Sequence, residues 1–526
     1  MITTLLHNAT IIDGTGRPPY TTDVAIAGDR IALIGDLSQR DAGKHLDCTG
    51  KTLAPGFIDV HSHSDELWLA LPRCDGKIAQ GVTTEIGGNC GMSAAPLSGP
   101  GLDRMRRHAQ HLRMSVDWQS LDAFFALIER QGVALNVATL VGLGTTRQTV
   151  AGDSERRLER EETELQARAV LLACEQGALG VSSGLIYPPS MYADSDELVA
   201  MARAAREGGA PLYASHIRDE ADGVVAAIEE ALLVGERANV TVQCSHHKAS
   251  GKQNWGKVHH TLELMDRARS RGTNVFCDVY PYTASWTGLS TILPESAHFG
   301  GAAATLERLA DPQQAASIAL HLHLKQQGNW HDILITEVGS EKNHALAGMR
   351  MDEIARSWFL PPAWAAIRLL REEALEVGAI FFKMSEDDVA TVLSAAFCCI
   401  GSDASARALR GPTARGVPHP RTFGTFPRVF GRFVRQRKTI EIVEAVRRMT
   451  SLPAAIFGLR DRGSIEPGRF ADLVLFEAGA IADTATYDDP FQFPKGIAHV
   501  FVNGEAVLQD GEFTTALPGR VLRGGG

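Results

Sequence analysis

The sequence predicts a (β/α)8 barrel of the TIM type, with a small β-sandwich domain built from both ends of the chain. Apolar runs with the character of buried strands recur eight times between residues 57 and 403. Helical patterns separate several of these runs, and such alternation is typical of a parallel α/β sheet. The two ends of the chain carry short strands and turn signals instead. We therefore expect a central barrel, flanked by terminal strands that pair with each other.

Length and composition indicate a globular protein of more than one domain. A chain of 526 residues is longer than the segment that usually folds around a single hydrophobic core. A hydrophobic content of 44% with 22% charged residues is common in globular proteins. The net charge of −10 argues against nucleic acid or an anionic membrane as partner. No stretch approaches the roughly 20 apolar residues of a membrane span, and no secretory signal is visible. The eight cysteines lack disulfide-like spacing, which favours a reducing cytoplasm.

Short strand-like runs with turn residues occur at both ends of the chain. They cover residues 5–12, 23–27, 30–34, 471–476, 498–502 and 505–508. The two-residue turn signals Gly28-Asp29 and Asn503-Gly504 predict one hairpin at each end. We predict a β-sandwich of residues 1–54 and 465–526 beside a barrel of residues 55–464.

The barrel strands are predicted from buried apolar runs. These runs cover residues 57–60, 82–86, 136–141, 178–183, 211–216, 240–246, 274–280 and 397–403. Helical patterns between them cover residues 155–176, 195–206 and 223–237. The interval 281–396, between the seventh and eighth runs, is far longer than one helical crossover requires. We predict an inserted subdomain after strand seven, at about 290–347, which includes the amphipathic segment 311–327 and covers the barrel mouth.

Residues that commonly bind metals recur at the carboxyl ends of these runs. They are His61, His63, Cys90, His216, His246 and Asp403. Alternation along a strand sends His61 and His63 to the same side, and the carboxyl ends of barrel strands converge on one mouth. Thiolate and imidazole ligands suit zinc better than magnesium or calcium. With a carboxylate as general base, the set predicts metal-assisted hydrolysis of an amide bond.

Each of these residues also has an ordinary structural interpretation. A histidine at a strand end is often a hydrogen-bonded core residue, Cys90 would suit a small apolar site, and Asp403 would suit a helix cap. Their convergence at one barrel mouth favours a metal centre. By contrast, His247 is interpreted as structural. His321 and His323 lie in a helical pattern and are expected at the surface.

Longer motifs surround the proposed ligands. They are Pro-Gly-Phe-Ile-Asp-Val-His-Ser-His at 55–63, Gly-Asn-Cys-Gly at 88–91, Ser-Ser-Gly-Leu-Ile-Tyr at 182–187, Ser-His-His-Lys at 245–248, Asp-Val-Tyr-Pro-Tyr at 278–282 and Pro-His-Pro-Arg-Thr-Phe-Gly-Thr-Phe-Pro-Arg at 418–428. Together they resemble the D-aminoacylase (N-acyl-D-amino-acid deacylase) family of the amidohydrolase superfamily, over nearly the whole chain.

The resemblance implies a zinc-dependent enzyme that hydrolyses N-acyl-D-amino acids to a carboxylate and a free D-amino acid. It implies one tightly bound zinc ion, held by Cys90, His216 and His246. A second, weaker metal position would be surrounded by His61, His63 and Asp403, with Asp403 as general acid and base. The alternatives are a cyclic amide or carbamoyl hydrolase, similar to hydantoinases and dihydroorotases, and a non-catalytic scaffold.

The resemblance also implies contacts to the substrate's α-carboxylate from Tyr187, Lys248 and Arg421. Other arginines of the same loop are alternatives to Arg421, namely Arg407, Arg410 and Arg415. Two positions depart from the family pattern. Leu143 stands where many members have a histidine, and Trp286 stands where small residues are usual. Both departures bear on substrate preference.

Overall fold

The computed structural model describes residues 1–112 and 114–524, with strands and helices in the predicted order. The strands are β1 (Thr4–Ile11), β2 (Tyr20–Ala27), β3 (Arg30–Gly35), β4 (Lys44–Asp47), β5 (Thr52–Pro55), β6 (Phe57–Asp59), β7 (Val82–Gly87), β8 (Asn136–Thr139), β9 (Val141–Gly142), β10 (Val181–Gly184), β11 (Leu212–His216), β12 (Thr241–Cys244), β13 (Val275–Val279), β14 (Ser285–Gly288), β15 (Ile333–Val338), β16 (Val377–Phe381), β17 (Cys398–Ile400), β18 (Leu473–Phe476), β19 (Ile497–Val502), β20 (Glu505–Gln509) and β21 (Glu512–Phe513).

The helices lie mainly between the barrel strands. They are α1 (Leu67–Ala70), α2 (Asp75–Ile78), α3 (Gly99–His111), α4 (Leu121–Gln131), α5 (Leu143–Ala151), α6 (Arg160–Glu175), α7 (Ser195–Glu207), α8 (Val224–Ala238), α9 (Lys257–Ser270), α10 (Gly301–Ala310), α11 (Pro312–Gln326), α12 (Met351–Ser357), α13 (Pro362–Glu372), α14 (Glu386–Ser394), α15 (Arg421–Arg428), α16 (Ile442–Met449) and α17 (Ser451–Ile456). Among the described helices, none has the length and hydropathy that crossing a membrane requires.

Parallel strands form the predicted barrel. Strands β6, β7 and β8 pair in that order, and β9, β10, β11, β12, β13 and β17 form a second parallel run. Strands β8 and β9 are two parts of one strand, interrupted at Leu140. A parallel bridge between Ser62 and Ala404 joins the end of β6 to the end of β17 and closes the ring. All eight predicted runs therefore supply barrel strands, and the predicted fold class is confirmed.

Local sequence signals explain where the helices begin and end. Helix α7 starts after Asp194, whose carboxylate accepts a hydrogen bond from the Glu197 backbone N–H at 2.9 Å. Helix α8 ends at Asn239, which adopts the left-handed conformation common at helix ends. Helix α6 starts at Arg160, later than predicted, because Glu159 and Glu162 form a capping box there.

The two ends of the chain pair with each other, as predicted. Strands β1 to β5 and β18 to β21 belong to one nine-stranded sheet. The link between the two ends is the antiparallel pair of β5 and β18, in which Leu53 lies opposite Leu475. Asn503 and Gly504 form the turn between β19 and β20 with φ values of 48° and 81°, a conformation that this residue pair tolerates.

A separate layer follows the seventh barrel strand. Strands β14, β16 and β15 form an antiparallel sheet, and side chains of β15 and β16 share a second hydrophobic core with α10 to α13. This core extends from Leu289 to Phe381, so the segment that packs apart from the barrel is longer than the predicted 290–347. The domain limits 1–54, 55–464 and 465–526 remain proposals.

Candidate metal centre at the barrel mouth

Backbone strain marks the ends of three barrel strands. Cys90, His246 and Asp403 follow β7, β12 and β17, and their φ values are 52°, 35° and 49°. Residues other than glycine seldom adopt this left-handed conformation, and it persists only where surrounding contacts hold it. Such strained residues cluster at functional sites. All three belong to the predicted ligand set.

The loop that carries Cys90 is held against strand β10. Gly91 donates its backbone N–H to Ser182 Oγ at 3.0 Å, and the Ser182 hydroxyl donates to the carbonyl of Gly88. A Cβ atom on Gly184 would lie 2.0 Å from the Cys90 carbonyl oxygen, so this approach requires glycine. The loop leaves Cys90 only 3% exposed, inside the barrel mouth.

Nitrogen and sulfur donors converge around Cys90. Its Sγ atom lies 3.2 Å from His61 Nε2 and 3.5 Å from His246 Nε2, which in turn lies 2.9 Å from His216 Nδ1. Ligand atoms around a tetrahedral zinc ion, with bonds of about 2.0–2.3 Å, lie roughly 3.3–3.8 Å apart. The buried Nε2 of His216 has no hydrogen-bond partner among the described residues. The donor types therefore fit a zinc ion. The Cys90–His246 separation lies within this range, and the other two are shorter.

Asp403 adds a carboxylate to this cluster. Its Oδ1 atom lies 3.1 Å from His63 Nε2 and 3.5 Å from His61 Nε2, and its Oδ2 atom lies 2.9 Å from Arg421 Nη1. Burial alone would raise the pKa of Asp403, but Arg421, His246 and His63 hold it well below its usual range. The carboxylate is therefore ionised and able to accept a proton.

The thiol of Cys90 is also ionised by its neighbours. Burial opposes ionisation, yet His61 and His246 lower the pKa of Cys90 well below its ordinary value. A thiolate is the form of cysteine that binds metal ions. The site therefore presents two anionic ligand types, thiolate and carboxylate, beside three buried imidazoles and the half-buried His63.

Two further carboxylates, absent from the sequence prediction, hold the histidines in place. Asp278 Oδ1 lies 3.2 Å from His61 Nδ1 and accepts the backbone N–H of His246 at 2.9 Å. Glu220 Oε1 lies 3.0 Å from His246 Nδ1. Asp278 lies inside the seventh run and begins the Asp-Val-Tyr-Pro-Tyr motif, which was a usable signal. Glu220 lies in the loop after His216, outside the motifs given above, so the sequence offers no comparable signal for it.

Two buried cations lie beside the ligand cluster. Lys248 Nζ is 5.4 Å and the Arg421 guanidinium carbon 4.6 Å from the centre of the Tyr280 ring. Lys248 is 4% and Arg421 1% exposed, so both charges are shielded from water. The ring of Tyr187 packs on His216 at 5.1 Å, and its hydroxyl lies 2.9 Å from Thr287 Oγ1. All three predicted substrate contacts therefore lie at the barrel mouth.

A small cavity, partly open to solvent, lies next to His63, Asp403 and Arg421. The inserted layer supplies one wall, where Trp286 Nε1 donates to Thr336 Oγ1 at 2.8 Å. Arg407 also lines the cavity. Trp286, one of the two departures from the family pattern, therefore lies in the wall of this cavity.

Four further residues that the sequence singles out supply no atom to the grouped metal-ligand atoms among the described residues. They are Leu143, His247, His321 and His323, and the alternative arginine Arg410 carries no such ligand atom. Leu143 is buried in the core between helices and strands, and it does not line the cavity. Arg410 is exposed. His247 Nε2 lies 2.8 Å from Thr261 Oγ1, in keeping with a structural role. His321 and His323 are exposed on α11.

Known proteins resemble this chain over its whole length. The sequence pattern of the amidohydrolase family matches residues 44–508. N-acyl-D-glutamate deacylase of Alcaligenes xylosoxydans xylosoxydans is 38% identical over 522 residues, covering 99% of this chain and 96% of the relative. D-aminoacylase of the same organism is 36% identical, covering 98% and 97% of the two chains. The crystal structure of N-acyl-D-glutamate deacylase from Bordetella bronchiseptica superposes on this chain with a TM-score of 0.85. The two chains are 36% identical, and the match covers 99% of each. That crystal structure is a complex with zinc and a phosphonate inhibitor that mimics the tetrahedral intermediate of the reaction.

Proposed function

Because this chain belongs to the N-acyl-D-amino-acid deacylase family of amidohydrolases, we propose that it hydrolyses the amide bond of N-acyl-D-amino acids with the aid of zinc. The products are a carboxylate and a free D-amino acid. The family predicted from sequence motifs is confirmed by the comparisons. In this proposal Cys90, His216 and His246 hold the tightly bound zinc ion, and His61, His63 and Asp403 surround a second, weaker position.

Asp403 moves the proton in this reaction. When bound, zinc acts as a Lewis acid that polarises the acyl carbonyl and acidifies water. Asp403 takes a proton from the attacking water while the water oxygen bonds to the acyl carbon. It then returns the proton to the amide nitrogen as the C–N bond breaks, so that the amine leaves uncharged. Before substrate binds, His63 and Arg421 contact the two oxygens of Asp403 and orient its carboxylate.

The observation that carries this proposal is the pair of buried cations at the Tyr280 ring. An N-acyl amino acid has a free α-carboxylate, and Lys248 and Arg421 supply the charge to bind it. A hydantoin lacks that carboxylate, so it would gain no ion pair from either cation, and each would keep only its protein partner, Asp403 for Arg421 and Glu220 for Lys248. The geometry therefore favours linear N-acyl amino acids over cyclic amides.

A direct comparison of substrates tests the proposal. The zinc-loaded protein is incubated in parallel with N-acetyl-D-amino acids and with the matching 5-substituted hydantoins, and free amine and ring opening are measured. We expect amine release from the linear substrates alone. Ring opening of the hydantoins, without amine release from the linear substrates, would reject the deacylase function.

Arg421→Lys is expected to raise KM about 10–100-fold for N-acetyl-D-amino acids, because a hydrogen bond to a charged group contributes roughly 1.5–3 kcal/mol and 1.4 kcal/mol is tenfold. Lysine keeps the charge but loses the planar fork that grips a carboxylate. The measurement compares each substrate with its α-carboxamide. The variant should show a weaker preference for the free carboxylate, whereas Arg410→Lys, at an exposed site in the same loop, should keep the wild-type preference. An unchanged preference in Arg421→Lys would contradict the assignment.

Trp286→Ala is expected to raise kcat/KM for bulky substrates relative to small ones by about tenfold or more. The reason is that space for one additional methylene group in an apolar pocket changes the ratio of kcat/KM values by roughly 10–200-fold. The change enlarges the cavity beside Asp403. A panel of N-acetyl-D-amino acids with side chains from methyl to benzyl measures the effect. Trp255→Ala is the control, because that indole is 42% exposed and outside the cavity lining. An unaltered order of preference would exclude Trp286 as a wall of the binding pocket.

A cytoplasmic location is part of the proposal. It is supported by the free thiol state of all eight cysteines, each of which lies in the described part of the chain. The proposed partner is the small-molecule substrate.

A further inference from the structure

One oxygen atom of Glu220 faces two donors. Its Oε1 atom lies 2.5 Å from Lys248 Nζ and 3.0 Å from His246 Nδ1. Lys248 Nζ and His246 Nδ1 are themselves only 2.8 Å apart. The three atoms form a tight triangle, and Lys248 and His246 are almost completely buried. Glu220 thus lies between a proposed substrate contact and a proposed zinc ligand.

The position of the imidazole proton decides whether His246 can bind a metal. Its Nε2 atom faces Cys90 Sγ and His216 Nδ1, so Nε2 must be free of hydrogen to act as a ligand. The proton then resides on Nδ1 and needs an acceptor. Glu220 Oε1 provides that acceptor, in the manner of carboxylates that orient metal-binding histidines.

Lys248 would impose the opposite arrangement on its own. An ammonium group 2.8 Å from Nδ1 is a hydrogen-bond donor, and without Glu220 it would donate to that nitrogen. The imidazole proton would then reside on Nε2 and block the lone pair that binds zinc. Glu220 prevents this outcome because the same oxygen accepts from Lys248 and from Nδ1–H.

We infer that Glu220 is a positioning residue that keeps His246 in its zinc-binding tautomer against the competing ammonium of Lys248 and that holds Lys248 for the substrate carboxylate. The inference rests on the proposed function, because it takes His246 as a zinc ligand and Lys248 as a substrate contact. It assigns a role to a residue outside the predicted ligand and substrate sets. It also explains how a lysine and a metal-binding histidine lie side by side.

The test measures zinc affinity, which does not depend on catalysis. The full-length protein is stripped of metal, and zinc binding is measured by competition with a chelating dye for wild type, Glu220→Met, Lys248→Met and the double variant. Removing an outer carboxylate typically weakens metal binding about 10–100-fold, and we expect this loss for Glu220→Met. Lys248→Met alone should keep the affinity. The double variant should recover part of the loss, because the competing donor is gone although Nδ1–H still lacks its carboxylate acceptor.

Recovery in the double variant separates this role from general structural support. Two results would overturn the inference. One is a Glu220→Met variant that binds zinc as tightly as the wild type. The other is a double variant that binds zinc as weakly as Glu220→Met does. If Glu220→Met does not fold, Glu220→Gln takes its place. We expect a smaller loss of zinc affinity for this variant, and an unchanged zinc affinity would again overturn the inference. Glu229→Met, at an exposed site on α8, is the matched control.

Kinetics provide the second measurement. Glu220→Gln should also raise KM for N-acetyl-D-amino acids at saturating zinc, with a smaller change in kcat, because Lys248 loses its anchor. A fall in kcat alone would contradict this part of the inference. If the wild-type protein binds zinc but releases no D-amino acid, the proposed function fails, while the zinc titrations still decide the role of Glu220 toward His246.

Discussion

Asp403→Asn is expected to lower kcat by about 10²–10⁴-fold, the contribution typical of a general acid or base. Asparagine has nearly the same shape but cannot take a proton from water or return one to the departing amine. Zinc content should stay at the wild-type level, because Cys90, His216 and His246 are intact. KM should not rise, since Arg421 loses the anion that competes with the substrate carboxylate.

Single-turnover kinetics and metal analysis on the same preparations check this expectation. Asp488→Asn is the matched control, because Asp488 is exposed and lies outside the ligand cluster. It should keep wild-type activity. Activity of Asp403→Asn within about tenfold of wild type would remove Asp403 from the proton-transfer role.

Cys90→Ser is expected to have the second large effect, the loss of bound zinc and with it of activity. The serine hydroxyl stays protonated where the thiol is ionised by His61 and His246, so the site loses an anionic ligand. Zinc affinity should fall by more than the roughly 10–100-fold that is typical when an outer partner is lost. Metal content after dialysis and activity as a function of added zinc measure the change.

Cys48→Ser provides the control for a buried cysteine of the same chain. Cys48 lies in the core of the terminal sheet, and its Sγ donates to the Leu46 carbonyl at 3.6 Å, a bond that serine can keep. This variant should retain zinc and activity. Full zinc content in Cys90→Ser would show that the histidines suffice and that the thiolate is not a principal ligand.

Most of the fold could be predicted because the physical signals are local. Parallel barrel strands are buried on both faces, so they stand out as short apolar runs, and all eight runs became strands. The end of the inserted layer was harder to predict. Strand β16 is as apolar as a barrel strand, and only its antiparallel pairing with β14 and β15 places it in the inserted layer. Such pairing between distant segments leaves no local pattern.

The candidate site was predictable where unusual residue types follow strands. Histidines, a cysteine and an aspartate after apolar runs are conspicuous, and all of them meet at the mouth. Asp278 and Glu220 were not predicted, because a carboxylate that acts through a histidine has no fixed spacing from it. The left-handed backbone of Cys90, His246 and Asp403 is likewise a product of tertiary contacts.

The central claim is zinc-dependent hydrolysis of N-acyl-D-amino acids, and release of free amino acid from paired N-acetyl-D- and N-acetyl-L-amino acids tests it most directly. The assay uses the metal-stripped protein with and without added zinc. We predict release from the D substrates alone, and only with zinc. No release from any D substrate by the zinc-loaded protein, or equal release from the L substrates, would contradict the claim.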